Sequence, residues 1–248
     1  MIDEVFTHPI IFSEAVKLDG NNTWVQHIPF AFFLISYMKP KTIVELGVHT
    51  GESYFAFCQA VKHLGLDAKC YGIDTWEGDA HTGFYGDGIF KSLLNYQDEN
   101  YKDFSMLMRM RFDQAVCNFK DKSIDVLHID GYHTYEAVKH DFEKWLPKLK
   151  DFGAVLFHDT IVKEREFGVW KFWEELSNKY PSVNFKFGFG LGCIVNDIES
   201  GSELAKMLER IHCDTDTQIL FEKLGSRNLL IGEILRLKYK LLEKEKFL

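Results

Sequence analysis

The most constraining stretch of this sequence is an apolar run that leads into a turn with two glycines and then into a helical segment. The run Thr42–Leu46 has the length and apolar character of a buried strand, and Gly47 and Gly51 lie in the turn after it. Helical periodicity then extends from Glu52 to Leu64. Glycine lets the backbone approach a ligand closely, and a helix start offers free N–H groups, so this stretch predicts a cofactor cradle.

A second apolar run, Lys69–Asp74, ends in a carboxylate. Asp74 lies roughly twenty residues after the glycine turn, which is the spacing at which an acidic side chain meets ribose hydroxyls in doubly wound α/β folds. The glycine turn lacks the Gly-x-Gly-x-x-Gly order of an NAD site, and it lacks the Gly-Lys-Ser/Thr of a phosphate-binding P-loop. The pattern therefore predicts a ribose-containing cofactor and disfavours both of those classes.

The rest of the chain alternates between strand-like and helix-like segments. Further strands are predicted at 104–110, 124–130, 154–157, 183–187 and 193–196, with a turn at 151–153. Helices are predicted at 89–101, 114–119, 135–149 and 168–180. This alternation indicates an α/β fold with a doubly wound, mainly parallel sheet. A short glycine-rich turn joins the last two strands, so these two must be antiparallel.

We expect three regions along the chain: an N-terminal cap at 1–40, the α/β domain at 41–198 and a C-terminal helical extension at 199–248. In the cap, the aromatic segment Trp24–Met38 is expected to turn helical at Pro29 and to cover one edge or mouth of the sheet. The extension should hold helices at about 202–212 and 217–247. Its apolar stripe would pack on its own domain, pack on a twin subunit or begin a linker. The stripe comprises Leu230, Ile234, Leu237 and Leu241.

Composition excludes several classes of function. The net charge of −8 argues against nucleic acid as the main partner. The five cysteines form no Cys-x-x-Cys pair, which favours reduced thiols in a cytoplasmic protein. The first residues lack the basic start and apolar run of a signal peptide, and no apolar stretch reaches the roughly 20 residues of a membrane span.

Three predicted strands end in acids, namely Asp74, Asp130 and Asp159. The carboxyl ends of parallel strands share one edge of a sheet, so these side chains should converge there. Asp130 and Asp159 would repel each other unless a cation or a proton lies between them. Mg²⁺ or another hard divalent ion, held by oxygen ligands, is one way to relieve that repulsion.

Histidines near these strand ends have open roles. His133 follows Asp130 closely, and it is either a general base for a hydroxyl or a capping residue of the next helix. His158 is a ligand, a base or a structural contact. His128 lies inside a strand, where core packing is favoured over catalysis. His49 faces either the cofactor or solvent.

The loop Trp76–Gly88 is rich in glycine, aspartate and aromatic residues. Loops of this kind at the carboxyl ends of parallel strands usually line sites, so we expect this one to border a ligand. Trp24 and His27, at the start of the aromatic segment, are expected to be packed or capping residues more often than ligand contacts.

These motifs together resemble a known enzyme family. Val44-Glu45-Leu46-Gly47 with Gly51-Glu52-Ser53 resembles motif one of class I S-adenosylmethionine-dependent methyltransferases. Three further blocks resemble a bacterial subfamily associated with glycosyltransferases, whose relatives methylate sugars. The blocks are Asp74-Thr75-Trp76-Glu77-Gly78-Asp79, His128-Ile129-Asp130-Gly131-Tyr132-His133-Thr134-Tyr135 and Val155-Leu156-Phe157-His158-Asp159-Thr160.

The resemblance implies a Rossmann-like sheet of seven strands with the last antiparallel. It implies an S-adenosylmethionine site whose methionine part is surrounded by Glu45, Gly47, Gly51 and Ser53. Asp74 would bind the ribose of the cofactor, with Trp76 as a further cofactor-binding residue. Phe112 and Asp113 would border the adenine. Related sugar O-methyltransferases hold a divalent metal on strand-end acids, which here would be Asp130 and Asp159. Those relatives often have two adjacent acids at the second position, where this chain has His158-Asp159.

The resulting hypothesis is O-methylation of a sugar hydroxyl in a glycan or glycoside, with His133 as the base and Asp130 orienting it or holding a metal. One alternative is a nucleotide-dependent oxidoreductase on the same architecture. Another is a non-catalytic module that binds the cofactor or a partner. The expected partners are a small-molecule or glycan acceptor and, through the C-terminal helices, a second copy or a glycosyltransferase.

Overall fold

The computed structural model describes residues 1–18, 24–79, 83–164, 166–199 and 201–245. Its main strands are β1 (Thr42–Leu46), β2 (Lys69–Asp74), β3 (Ser105–Arg109), β4 (Ile124–Ile129), β5 (Leu149–His158), β6 (Ser182–Phe185) and β7 (Leu191–Val195). They form one sheet in the order β3-β2-β1-β4-β5-β7-β6. Neighbouring strands are parallel except that β7 runs antiparallel to both β5 and β6. The predicted sheet of seven strands is thus confirmed.

Helices cover both faces of the sheet. They are α1 (Ile2–Phe6), α2 (Ile28–Met38), α3 (Glu52–His63), α4 (Gly88–Asn100), α5 (Phe112–Ala115), α6 (Tyr135–Trp145), α7 (Val169–Ser177), α8 (Glu203–Cys213) and α9 (Thr215–Glu245). Adjacent strand residues point to opposite faces. Ile43 therefore packs with α2, α3, α8 and α9, whereas Val44 packs with α6 and α7. This two-sided burial explains why the strands read as continuous apolar runs.

The chain reverses direction across the sheet between β1 and β4. It moves outward from β1 to β2 and β3 and then returns to β4 on the other side of β1. Ligands in doubly wound sheets bind in the crevice at such a reversal, outside the carboxyl ends of the strands. Gly47 follows β1 and Asp130 follows β4, so both lie at this crevice.

The aromatic helix α2 lies on a face of the sheet and extends to the edge strand β6, in a segment expected to cover an edge or mouth of the sheet. Almost every residue of α2 is buried. Phe30 contacts Phe185 of β6 and Phe221 of α9, with ring centroids 4.6 and 5.6 Å apart. A helix that is apolar all round must be covered on all sides. Trp24, just before it, lines the crevice.

The prediction of a turn at 151–153 is wrong, because β5 runs through these residues without a break. Pairing of β5 with β4 shifts register between Ile124 and Val126, which absorbs extra residues in β5. Phe152 takes a left-handed backbone conformation with φ of 65°. A bulge of this kind keeps a strand going where local turn signals predict its end.

The long helix α9 is packed in its first half and exposed in its second. Gly225 allows close packing on the segment before α2, since an added Cβ would lie 2.1 Å from the carbonyl oxygen of Gln26. Phe221 is fully buried. The stripe residues Leu230, Ile234, Leu237 and Leu241 are each more than half exposed, so they do not pack on their own domain.

Candidate functional site

The glycine turn after β1 brings two strand ends into contact. Gly47 has φ of 90°, and a Cβ added to it would lie 1.9 Å from the carbonyl oxygen of Asp130. Gly51 has φ of 84° and precedes the first residue of α3. Both positions favour glycine, because other residues rarely adopt this backbone region. The turn therefore borders the crevice at the end of β1, where the sequence predicted a cofactor cradle.

Asp74 fastens this turn to the end of β2. Its Oδ2 accepts hydrogen bonds from the backbone N–H groups of Val48 and His49 at 3.0 and 2.9 Å. Its Oδ1 accepts one from the Trp76 backbone at 2.8 Å. The indole of Trp76 is buried and donates to the carbonyl of His49 at 3.0 Å. Asp74 lines the cavity, and a carboxylate has room for a further donor, so its predicted bond to the ribose stays a prediction.

Glu45 lies beneath the crevice and is not among the residues that line it. Its Oε1 accepts a hydrogen bond from the Ser53 hydroxyl at 2.6 Å, and its Oε2 lies 3.2 Å from His128 Nδ1. Burial raises the pKa of Glu45, and His128 and Ser53 oppose that shift. His128 packs beside Trp24 and Phe57, as predicted for a core histidine. Ser53 itself reaches the cavity.

Two acids and a histidine converge where β4 and β5 end. His133 Nε2 lies 3.1 Å from Asp159 Oδ2 and 3.5 Å from Asp130 Oδ1. The ring of His133 stacks on Phe167 with centroids 4.5 Å apart. The sequence predicted that Asp130 and Asp159 meet, and the structure brings His133 between them.

The charges in this cluster depend on one another. Burial alone would lower the pKa of His133, but hydrogen bonds and charge from Asp130 and Asp159 outweigh it and raise the pKa to about 10. Burial alone would raise the pKa of Asp130, but His158 and His133 hold it well below its ordinary value. The cluster is therefore a buried imidazolium clamped between two carboxylates.

His158 contacts both acids of this cluster. Its Nδ1 lies 3.6 Å from a carboxylate oxygen of Asp130 and from one of Asp159. Its Nε2 donates to the carbonyl of Gly188 at 3.1 Å, and His27 Nε2 donates to the same oxygen at 2.8 Å. Burial disfavours a charge on both rings. The two acids nevertheless raise the pKa of His158 to about 9, while that of His27 falls to about 3.

Three atoms of the acid–histidine cluster are placed to hold a cation. One ligand atom each from Asp130, His133 and Asp159 lies within 4.8 Å of the others, the one such group found within the described ranges. Oxygen ligands with one imidazole suit a hard or borderline divalent ion. The residues present therefore fit a divalent metal, although the histidine also satisfies both carboxylates by itself.

Strained backbone is concentrated around the crevice. His49, Trp76, Asp159 and Phe189 are non-glycine residues with φ between 46° and 67°. Conformations of this kind persist where the surrounding structure holds them and are common at functional sites. Phe189 extends into the cavity from a turn in which Gly188 and Gly190 also have positive φ.

A cavity of about 990 Å³ connects these groups. Phe112 and Asp113 line it after β3, as the resemblance implies for the adenine end, and Asp113 pairs with His140 at 2.9 Å. The cavity is at the upper end of the range for small-molecule sites. It also has lining residues that sequence reasoning did not single out. They include His140, Asp141, Val162, Phe167 and Phe189.

The loop predicted to border a ligand does so in part. Thr75, Gly78 and Tyr85 line the cavity. Ala80, His81 and Thr82 lie outside the described residues. The ring of His49 lies 5.4 Å from that of Tyr85, so His49 faces the cavity. None of the helices in the described ranges combines the length and apolarity needed to cross a lipid bilayer.

Part of the chain matches a known domain family, and most of it matches one curated relative. Residues 44–160 match a family model described as a methyltransferase domain. An uncharacterized protein, y4gI, of Sinorhizobium fredii is 44% identical over 202 residues, which is 82% of this chain. The chain spans only 22% of the length of that curated relative.

Solved structures share the fold at low identity. The methyltransferase PaMTH1 of Podospora anserina, bound to S-adenosylhomocysteine, has a TM-score of 0.52 at 14% identity, covering 78% of this chain and 94% of its own. The O-methyltransferase TomG of Streptomyces achromogenes, bound to S-adenosylmethionine, has a TM-score of 0.51 at 13% identity, with coverages of 78% and 96%. The family match favours a methyltransferase over a nucleotide-dependent oxidoreductase. Residues 44–160 thus match a methyltransferase domain, and the sheet order gives the chain the same Rossmann-like fold as these solved structures.

Proposed function

We propose that this domain transfers the methyl group of S-adenosylmethionine to a sugar hydroxyl of a glycan or glycoside. The observation that carries the proposal is the convergence of Asp130, His133 and Asp159 in the cavity, with Phe167 and Phe189 beside them. A sugar presents hydroxyls to such polar groups and apolar C–H faces to such rings. The O-methyltransferase TomG, which shares the fold, supports oxygen as the acceptor atom.

The cofactor would lie along the crevice from the glycine turn to the end of β3. In this proposal Gly47, Gly51 and Ser53 surround its methionine part, and Asp74 binds its ribose. Glu45 acts through its hydrogen bond to Ser53, and Trp76 acts through its bond to the His49 carbonyl. Phe112 and Asp113 border the adenine, since both line the cavity.

The sulfonium of the cofactor is a strong methyl donor. The protein must therefore align the acceptor oxygen with the methyl group and help to remove the hydroxyl proton. We assign proton removal to His133, with Asp130 orienting its ring at 3.5 Å. With a pKa of about 10, His133 keeps its proton at neutral pH while both acids are charged.

A divalent cation such as Mg²⁺ would change that balance. Asp130 and Asp159 would hold it, and the bound ion would polarise the acceptor hydroxyl. The charge of these carboxylates is what raises the pKa of His133, so their neutralisation leaves an imidazole that can accept a proton. Metal dependence and the base role of His133 are thus two linked parts of the same proposal.

A labelling experiment tests the acceptor. Purified protein is incubated with methyl-labelled S-adenosylmethionine and matched panels of glycosides and catechols, in Mg²⁺ or in EDTA. Label on a glycoside hydroxyl, lost in EDTA and in Asp159→Asn, supports the proposal. The exposed Asp151 of the same strand supplies the control variant Asp151→Asn, which should keep full activity. Label on catechols alone, or on neither panel, would overturn a sugar acceptor.

We also propose that the exposed stripe of α9 is covered by a second copy of the chain or by a glycosyltransferase partner. Its four large apolar side chains are each more than half exposed, and the 4-3-4 spacing favours helix pairing. Light scattering of the wild type and of a Leu230→Glu, Leu237→Glu variant tests self-association. A monomer in both cases would leave the glycosyltransferase as the partner to test.

We also propose a cytoplasmic location, in keeping with the five free cysteines.

A further inference from the structure

One carboxyl group in the cofactor cavity has no partner among the residues that the structure describes. Asp141 lies on α6, is only 9% exposed and lines the cavity. No donor within the described ranges lies within hydrogen-bond or ion-pair distance of its oxygens. Four other acids of the cavity have partners, and Glu136 and Glu164 are exposed. Asp74 accepts three backbone N–H groups, while Asp113, Asp130 and Asp159 each face a histidine.

The neighbours of Asp141 place it at the end of the cavity bordered by Phe112. A Cβ added to Gly131 would lie 3.3 Å from Asp141 Oδ2 and 2.6 Å from the ring of Phe112. The ring of Phe112 is therefore packed against Gly131, with the Asp141 carboxyl beside both. A flat ligand that reaches this end of the cavity would meet an aromatic ring and one buried carboxyl.

An unpaired buried carboxyl is costly, so a ligand that completes its hydrogen bonds gains from it. Burial raises the pKa of Asp141 to about 7, with His140 opposing the shift and Asp113 adding to it. A carboxyl that keeps its proton near neutral pH offers a donor and an acceptor side by side. Adenine presents the complementary pair, because its exocyclic amino group donates and the adjacent ring nitrogen accepts.

We propose that Asp141 recognises the amino edge of the cofactor adenine, accepting from the exocyclic amino group and donating to the neighbouring ring nitrogen. This assignment rests on S-adenosylmethionine as the cofactor and not on a sugar acceptor. It gives Asp141 a share of cofactor specificity in addition to that expected from Phe112 and Asp113. The ribose and the methionine carboxylate match this group less well, since neither offers a donor next to an acceptor in one plane.

Calorimetric titration with the cofactor product and one analogue tests the assignment. S-adenosylhomocysteine carries the amino group, whereas its 6-deamino purine analogue has hydrogen there and keeps the ring nitrogen. A neutral carboxyl cannot restore the missing hydrogen bond by moving its proton, so wild-type protein should bind the adenosyl compound about tenfold more tightly than the deamino compound. Asp141→Leu should weaken binding of the adenosyl compound by about tenfold or more and remove most of the discrimination.

A second variant guards against a folding defect. In Asp141→Asn the amide keeps one acceptor and one donor, so binding of S-adenosylhomocysteine should stay within about threefold of wild type. The amide oxygen still accepts from the amino group, so discrimination against the deamino compound should persist. Glu143→Leu, at an exposed position on the same helix, is the matched control and should change neither value.

Three results would overturn the assignment. Equal affinity of the wild type for the two compounds would exclude recognition of the amino edge. Full discrimination retained in Asp141→Leu would place that recognition elsewhere. Equal weakening of both compounds in that variant, with discrimination unchanged, would indicate that Asp141 meets the methionine ammonium instead. Each result leaves the acceptor question untouched, because no methyl acceptor is present in the titration.

Discussion

The carbonyl oxygen of Asp130 occupies the space into which a side chain at Gly47 would project, 1.9 Å from the position of an added Cβ. This contact joins the end of β1 to the end of β4 at the point where the sheet order reverses. It also ties the cofactor turn to the acid–histidine cluster, because Asp130 belongs to both.

Gly47→Ala should therefore damage the site and the fold together. The methyl group would push the ends of β1 and β4 apart, and φ of 90° is unfavourable for alanine. We expect a loss of about 1–3 kcal/mol in the free energy of unfolding and a loss of S-adenosylhomocysteine binding. Denaturant unfolding and calorimetry measure the two effects. Gly86→Ala is the control, since open space surrounds that glycine; equal behaviour of the two variants would refute the close contact.

Replacing His133 should separate chemistry from cofactor binding. The ring lies between Asp130 and Asp159, so His133→Ala removes the proposed base and should lower kcat by about 10²–10⁴-fold. Affinity for S-adenosylhomocysteine should change little. His63→Ala, on the exposed side of α3, should keep wild-type turnover. Unchanged turnover in His133→Ala would remove the residue from the mechanism.

The unpaired acid of the cavity should make stability depend on pH. Asp141 holds its proton up to a pKa of about 7 in the folded protein and up to its ordinary value of 3.8 in the unfolded chain. Between these values the folded state binds more protons, so stability falls as pH rises from about 4 to about 7 and then levels off. Asp141→Asn should raise Tm at pH 8 and match the wild type near pH 4. A constant Tm difference across this range would contradict the assigned shift.

His27 should contribute the opposite trend on the acid side. Burial and the charge of His158 lower its pKa to about 3, against 6.5 in the unfolded chain. The unfolded state therefore binds more protons between these values, and stability is lost as pH falls from about 6.5 towards 3. In His27→Gln an amide N–H can still donate to Gly188, and the fall of Tm in acid should be shallower. His63→Gln should follow the wild-type curve.

The sequence by itself determined the local framework of this protein. Apolar runs predicted all seven strands, although β5 begins five residues before the predicted start, because strands buried on both faces carry mostly apolar side chains. The turn after Leu46 needed glycine at positions 47 and 51, and both glycines adopt positive φ. The acids at the carboxyl ends of β4 and β5 followed from the rule that parallel strands end at one edge.

Only the tertiary structure decided which of these groups have partners. Glu45 lies outside the cavity lining and binds Ser53, and His27 and His158 meet at the carbonyl of Gly188. Among the residues that the structure describes, none donates to Asp141. His27 is separated from Gly188 by 161 residues. Hydrogen bonding and desolvation depend on distances of a few ångström between segments remote in sequence, and no local periodicity records those distances. The strands and turns can therefore be predicted from the sequence, whereas the protonation states and the specificity of the site depend on tertiary packing.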